Sequence, residues 1–434
     1  MNILDKRSSI ERMMAFIRAV YPLQRMINSE GLDQSFAIVK KELPGTIIHE
    51  YPAGMECGDW IVPKGWKVTQ AWLKDKQGRE LVNFNEHPLF VAAYSEPVRG
   101  WFRKDEIARH MRYHPTKPGN FFLEHRNAYN YKLVDWGITL PKNLWERMPD
   151  EEYEICIEVE WSDRSMKLAE VFVPGKSDKI ISISAHIDEI CNDNLSGCAV
   201  GMELIRYIQQ LPQREYSYQL LLVPETIGTF FYVYNNLERV RKTIGMYNLE
   251  TVGSGENWVM KKAFSRDSYI ERCLKSGLAN SGLPYREIDF FDGYGNDERV
   301  YEWPTLRIPG VALQRYPFHE YHSGEDTPDN IDEAHLFDAL KISAEFVTVL
   351  ENDFVPEYTS VIPPWLSRHD LYYDSKEDSS KFHKFNNLVL FNIDGTKPVS
   401  EIAELSGLSF NEVNAYLQQF IKKGFIRKVA NKTV

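Results

Sequence analysis

The stretch Ile180-Ile181-Ser182-Ile183-Ser184-Ala185-His186-Ile187-Asp188, running on to Asn192-Asp193-Asn194-Leu195-Ser196-Gly197, decides the fold. It reads as a nearly all-apolar strand that stops at a histidine and carboxylates, just before a helix opening at Gly197. A strand with so little alternation is covered on both faces. Similar runs follow at 220–223, 246–249 and 311–313, with helical spacing near 197–210, 229–235, 267–276 and 331–350 between or after them. That alternation predicts an α/β fold with a mixed, mainly parallel sheet flanked by helices on both faces. In such sheets ligands sit outside the carboxyl ends of the strands. His186, Asp188 and Asp193 fall there, and Glu225, Glu250 and His322 recur mostly where later apolar runs stop. Hard oxygen and borderline nitrogen donors gathered at strand ends point to a metal site.

Working outward, residues 1 to about 42 carry apolar side chains at helical spacing (Ile10, Met13, Met14, Ile17, Val20). From about 51 to 124, tryptophans, prolines and short alternating runs predict a small all-β module inserted into the main domain. Residues 153–161 and 169–173 both alternate with period two, and Asp163-Arg164-Ser165 is suited to turn one into the other as a hairpin. Pro356, Pro363 and Pro364, followed by the charged stretch 374–378, read as a linker. Beyond it come a helix, a turn at Gly407, a second helix and a short strand, the pattern of a winged helix-turn-helix. The expected domains are therefore 1–50 with 126–358, the β insertion 51–125, and the winged helix 366–434.

A chain of 434 residues with 43% hydrophobic and 26% charged residues is that of an ordinary globular protein. Its net charge of −11 argues against a general nucleic-acid or anionic-membrane binder. No apolar segment follows the charged N-terminus, and no run is long enough to span a bilayer. Five cysteines, an odd number, fit reduced thiols and a cytoplasmic location. Cys191 and Cys198 flank Asp193 but are read as small packing residues rather than ligands.

Within the candidate centre, Asp188 is placed to orient the His186 ring. Glu225, alone after an apolar strand, is placed as a general base. His110 and His114, four apart without an acid partner, are expected on the surface. His125 and the other histidines show no order that links them to the set.

His186-x-Asp188, Asn192-Asp193-x-x-Ser196-Gly197, Glu225, Asn248-Leu249-Glu250-x-x-Gly253 and Tyr321-His322-x-x-x-Asp326-Thr327-Pro328-Asp329 occur in an order that resembles the zinc exopeptidase family of leucyl aminopeptidases, glutamate carboxypeptidase and glutaminyl cyclases. The β insertion and C-terminal tail are similar to those of aminopeptidase-like proteins associated with bacterial polysaccharide biosynthesis. The resemblance implies that His186, Asp193 and His322 hold zinc and that Glu250 is a fourth ligand or a substrate-amine anchor. It makes Asp193 the residue that bridges two metals where two are held, and Glu225 the base that deprotonates the attacking water. Two-zinc members carry a second acid directly after the base, where this chain has Thr226, so one zinc per chain is expected. Asp297, Glu298 and Arg299 fall where the family often has a substrate-facing loop, and are expected to hold a substrate ammonium or carboxylate.

The implied activity is hydrolysis of the amide bond of a small peptide or aminoacyl compound. The alternatives are acyl transfer of the glutaminyl-cyclase kind, or a ligand-sensing regulator. The start of the second tail helix, Ser409-Phe410-Asn411-Glu412, has no positive charge to meet phosphate. The tail is accordingly expected to contact a protein partner or form a homo-oligomer, not to bind DNA specifically.

Overall fold

Eight strands form the central sheet: β1 (Ile47–Tyr51), β2 (Met166–Val173), β3 (Ile180–His186), β4 (Ser217–Val223), β5 (Thr243–Glu250), β6 (Asn257–Lys261), β7 (Tyr285–Ile288) and β8 (Gly310–Tyr316). Their order is β1-β2-β4-β3-β5-β8-β6-β7. The middle four, β4-β3-β5-β8, are parallel, and the antiparallel pairs lie toward the edges. This computed structural model describes residues 4–125, 128–374, 376 and 378–429. The first three residues, Arg126 at the expected domain boundary, and Ser375 and Glu377 of the charged linker lie outside the described residues.

Every residue of β3 and β4 is buried, because each face of the sheet has its own cover. Ile181, Ile183, Leu220, Leu222, Tyr247 and Leu249 point into one core. There they meet helices α1 (Lys6–Val20), α2 (Glu30–Glu42), α3 (Gly197–Gln210), α5 (Tyr269–Ser281) and α6 (Glu333–Asn352). Leu221, Val223 and Met246 point the other way, against helix α4 (Ile227–Asn235) and the small β module. The period of two thus divides one apolar run between two cores.

The β module differs from the expected one at its boundary. Its four-stranded sheet runs Glu80–Asn83, Gly65–Lys74, Glu152–Ser162, Val98–Arg103. The strand 152–162 therefore does not form a hairpin with β2; it pairs with 65–74 and 98–103, while β2 pairs with β1 and β4. Alternation marks both segments as strands, but it carries no information on which sheet each joins.

The tail contains helices α7 (Val399–Ser406) and α8 (Phe410–Lys422), joined through Gly407 at φ 61°, a left-handed conformation that favours glycine. The strand Ile426–Val429 pairs with Val355–Tyr358, directly after α6. Val399, Ile402, Val413, Leu417 and Phe420 join the same core as α5 and α6, so this segment is packed on the main body rather than set apart. No helix among the described residues is long and apolar enough to cross a membrane.

Candidate metal centre

Parallel register brings the strand ends together. His186 lies opposite Val223, so Glu225 leaves the mouth of β4 beside it. On the other side Ser184 lies opposite Asn248, which carries Glu250 at the end of β5 to the level of His186. Asp193 enters from the loop between β3 and α3. That loop closes tightly because Gly197 lets α3 approach the end of β5: a Cβ there would lie 2.4 Å from the Leu249 carbonyl oxygen. His322 arrives from the turn after β8 and, at φ 54°, takes a backbone conformation unusual for a residue with a side chain.

The donor atoms of His186, Asp193 and Glu250 all lie within 4.8 Å of one another. His186 Nε2 is 3.3 Å from Asp193 Oδ1 and 3.4 Å from Glu250 Oε2. Four donors around zinc at about 2.0–2.1 Å stand about 3.3 Å apart along the edges of the tetrahedron, so these side chains fit an ion. His322, expected in one ligand set with His186, instead lies beyond Asp193. Its Nε2 is 3.3 Å from Asp193 Oδ2 and 2.9 Å from Glu189 Oε2, and His125 Nε2 is 2.9 Å from Glu189 Oε1. Sequence reasoning missed Glu189 and His125. Glu189 stands three residues after His186 and carried a usable signal; His125 lies in an irregular segment far from the strand ends and carried none.

The supporting contacts reassign several residues. Asp188 Oδ1 accepts the Glu225 backbone N–H at 3.0 Å, while its 3.5 Å approach to His186 Nδ1 leaves that nitrogen without a hydrogen bond. Asp188 therefore fixes the Glu225 loop more than the ring. Asp297 and Glu298, expected in a substrate-facing loop, are fully enclosed. Asp297 Oδ1 accepts from Thr226 N–H at 3.0 Å and Thr229 Oγ1 at 2.8 Å, and its Oδ2 accepts from Ser184 at 3.0 Å. Glu298 pairs with the buried Lys261 Nζ at 2.7 Å and accepts from Asn296 N–H. Neither carboxylate is left open to a substrate ammonium, whereas Arg299 is exposed. The neighbouring Asn296 holds Glu250 in place, donating from Nδ2 to Oε2 at 2.6 Å. His114, expected on the surface, is buried. Its Nδ1 accepts backbone N–H groups of Thr116 and Lys117, which leaves Nε2 to donate to the Tyr321 carbonyl at 3.0 Å, next to His322.

The charges are crowded and dry. Burial, reinforced by Glu189, Asp188 and Asp193 and opposed by His186, pushes the Glu225 carboxyl well above the usual carboxylate range. Burial likewise pushes Glu250 up to about 7. Burial pulls the His186 and His322 imidazoles down, but the facing carboxylates outweigh it and hold both well above their ordinary value. Such a set favours a bound cation, which satisfies several carboxylates at once. Beside Glu189 a cavity of about 450 Å³ opens, walled in part by Trp66, Phe84, His87 and Phe121 of the β module. The Tyr129 hydroxyl, nearby, donates to the Glu225 carbonyl at 3.0 Å. Cys191 and Cys198 are buried core residues, as expected.

The chain and its fold have known relatives. A Clostridium acetobutylicum protein named "Putative polysaccharide biosynthesis protein with aminopeptidase-like domain" is 29% identical over 409 residues, covering 92% of each chain. The crystal structure of a "putative peptidase" from the same organism superposes with a TM-score of 0.86 at 25% identity, over 98% of each chain. The zinc aminopeptidase BSAP of Bacillus subtilis shares the fold, with a TM-score of 0.60 at 12% identity over 80% of this chain and 95% of that one. The fold is thus that of aminopeptidases and related peptidases. Residues 14–353 match the family described as "Domain of unknown function (DUF4910)", and the chain belongs to that family.

Proposed function

We propose that the protein is a zinc-dependent exopeptidase of aminopeptidase type, cleaving the amide bond of a small peptide or aminoacyl compound. The observation that carries this reading is the convergence of His186, Asp193 and Glu250 at the carboxyl edge of a parallel sheet, with the Glu225 carboxyl beside them. Those three side chains would hold the ion, which when bound supplies a Lewis acid for the substrate carbonyl and acidifies a water molecule. Glu225, at the mouth of β4 beside that set, would take a proton from the attacking water and return it to the leaving amine. Asp188 and Asp297 hold the backbone on either side of that base, through Glu225 N–H and Thr226 N–H. The aromatic wall of the neighbouring cavity suits an apolar side chain or a sugar ring. Because the relative's name mentions polysaccharide biosynthesis, amides of amino sugars are among the substrates to try. Five free, buried cysteines support a cytoplasmic location. The tail, whose α8 opens on Ser409, Asn411 and Glu412 without a cation, is assigned to protein contact rather than DNA.

The test is metal analysis of the purified chain together with hydrolysis of a panel of aminoacyl p-nitroanilides. Glu225→Gln is expected to lower turnover by ~10²–10⁴-fold while zinc content stays unchanged. Full activity in that variant, or in a zinc-free chain, would overturn the proposal.

A further inference from the structure

Thr226 stands where two-zinc relatives have an acid, and its backbone N–H is already given to Asp297. That substitution argues for one ion only if no other element supplies donors on the far side of Asp193. Two do. His125, Glu189 and His322 offer donor atoms that all lie within 4.8 Å of one another, and His322 Nε2 reaches Asp193 Oδ2 at 3.3 Å. Glu189 comes from the loop after β3, and His125 from the irregular segment between strands 98–103 and 152–162 of the β module.

The orientation of these groups matters more than their closeness. His125 Nε2, Glu189 Oε2, Asp193 Oδ2 and His322 Nε2 are all buried and none makes a hydrogen bond, although His322 Nε2 and Glu189 Oε2 are only 2.9 Å apart. The Glu189 side chain is 3% exposed. A carboxylate that only paired with two imidazoliums would lie along their N–H directions. Buried polar atoms left unpaired cost about 1–3 kcal/mol each unless something satisfies them. Buried donor atoms gathered within 4.8 Å of one another, with no hydrogen bonds of good geometry among them, are what a cation site offers.

The donors are also held in advance. Leu123 N–H donates to the His322 carbonyl at 2.9 Å, and Phe122 bridges to Ser323, tying the His125 segment to the His322 turn. The Tyr321 ring stacks on His322 at 3.8 Å between centroids. Asp326 accepts the backbone N–H groups of Cys191, Asn192 and Asp193 at 3.1, 2.7 and 3.2 Å, linking the same turn to the Asp193 loop. Outer contacts of this kind fix ligands in metal sites.

We infer that His125, Glu189 and His322 form a second divalent-metal position sharing Asp193 with the His186–Glu250 position, Asp193 presenting Oδ1 to one and Oδ2 to the other. Two imidazoles and two carboxylates suit zinc or cobalt(II). The second position rests on the zinc reading of the first and replaces the missing acid at 226 with donors from two other elements. The centre is then binuclear.

Cobalt(II) and zinc titrations of the chelator-stripped full chain test this, followed by calorimetry and visible absorption, with bound metal counted by mass spectrometry. Two ions per wild-type chain are expected. Glu189→Gln and His125→Asn should each weaken one binding step by more than ~100-fold, since loss of a ligand exceeds loss of an outer contact. Each should retain the other ion and the wild-type circular dichroism and Tm of the stripped chain. His186→Asn should show the reverse, losing the first step and keeping the second. Should either variant fail to fold, anomalous scattering from crystals of the cobalt-loaded wild-type chain decides, with two peaks flanking Asp193 expected and one peak refuting the second position. One ion per wild-type chain, or two that are indifferent to both Glu189→Gln and His125→Asn, refutes it as well. If two ions bind but no aminoacyl amide is cleaved, the second position stands and the peptidase reading falls. If amides are cleaved with a single ion, the peptidase reading stands and the second position falls.

Discussion

Replacing Asp297 with asparagine separates a clamp from a substrate anchor, and the structure sets the size of the effect. The side chain is fully buried and accepts from Thr226 N–H and Thr229 at one oxygen and from Ser184 at the other. Asparagine keeps its carbonyl toward Thr226 and Thr229, and its amide can donate to the Ser184 oxygen, so all three groups keep a hydrogen bond, with the Ser184 contact reversed. Burial pushes the aspartate up to about 6 from an ordinary 3.8. A raised value means that stability is fully present below pH 3.8 and is lost as pH rises through about 6. The loss totals on the order of 3 kcal/mol, about half of it incurred by pH 5. Asparagine does not ionise, so Asp297→Asn should be more stable than wild type at pH 8, and its advantage should grow by ~1–1.5 kcal/mol between pH 5 and pH 8. Asp297→Ala should instead cost ~2–4 kcal/mol, chiefly through the orphaned Thr226 N–H. Urea unfolding of the metal-free chain at the two pH values measures both variants. If asparagine destabilises as much as alanine, or if it leaves stability alone but raises KM for an aminoacyl substrate, the clamp is wrong and Asp297 meets substrate after all.

Gly277 of α5 faces α6, where an added Cβ would lie 2.7 Å from Phe346 N and 2.9 Å from its Cα. Gly277→Ala should destabilise by ~1–3 kcal/mol in urea unfolding, overriding the ~1 kcal/mol that alanine adds to an isolated helix. At the start of α8, Ser409 and Glu412 form a reciprocal cap. Ser409→Ala should therefore lower stability by about 1 kcal/mol. The Glu412 carboxyl is held down at about 2, against burial, by Lys381 and Ser409. Its contribution is thus present above pH 4.5 and lost as pH falls toward 2, and Lys381→Met should flatten the acid limb of the unfolding profile. Asp326→Ala removes the acceptor of three backbone N–H groups in the Asp193 loop. It should weaken zinc binding by ~10–100-fold in a competition titration with a chromophoric chelator.

Much of the centre could be read from the chain because it sits where a period ends. β3, β4 and β5 are mostly apolar before His186, Glu225 and Glu250, and an ionisable group at the end of a doubly covered strand stands out against its own neighbours. The sheet was legible for the same reason: strands buried on two faces are central, and in an α/β sheet most of them run parallel. What escaped were facts of partnership. Alternation marked 152–162 as a strand, yet its hydrogen-bonding edges found the β module, because pairing is decided by which neighbour offers a complementary edge and not by proximity along the chain. Asp297 and Glu298 were polar residues in a turn-like context, and only the surrounding elements reveal that both are sealed by Ser184, Thr226, Thr229 and Lys261.

Thr226 shows the same limit most clearly. Taken in order, the chain has one acid where the resemblance to two-zinc exopeptidases leads one to expect two, and a count along the sequence subtracts a metal. A coordination site, however, is a place where donors meet, and any segment that reaches it can supply one. His125 lies 61 residues before His186, and Glu189 lies in the loop on the other side of Asp193 from α3, yet both close on His322. The threonine then has a different consequence from the one its position suggests. By freeing the helix start of α4 from a ligand, it leaves Thr226 N–H to Asp297, while Asp188 takes Glu225 N–H and Tyr129 donates to the Glu225 carbonyl. The base is positioned by one pair of carboxylates and the proposed second ion by another set, so a substitution in either pair should disturb one function without the other. That separability is what distinguishes a relocated ligand set from a degraded one.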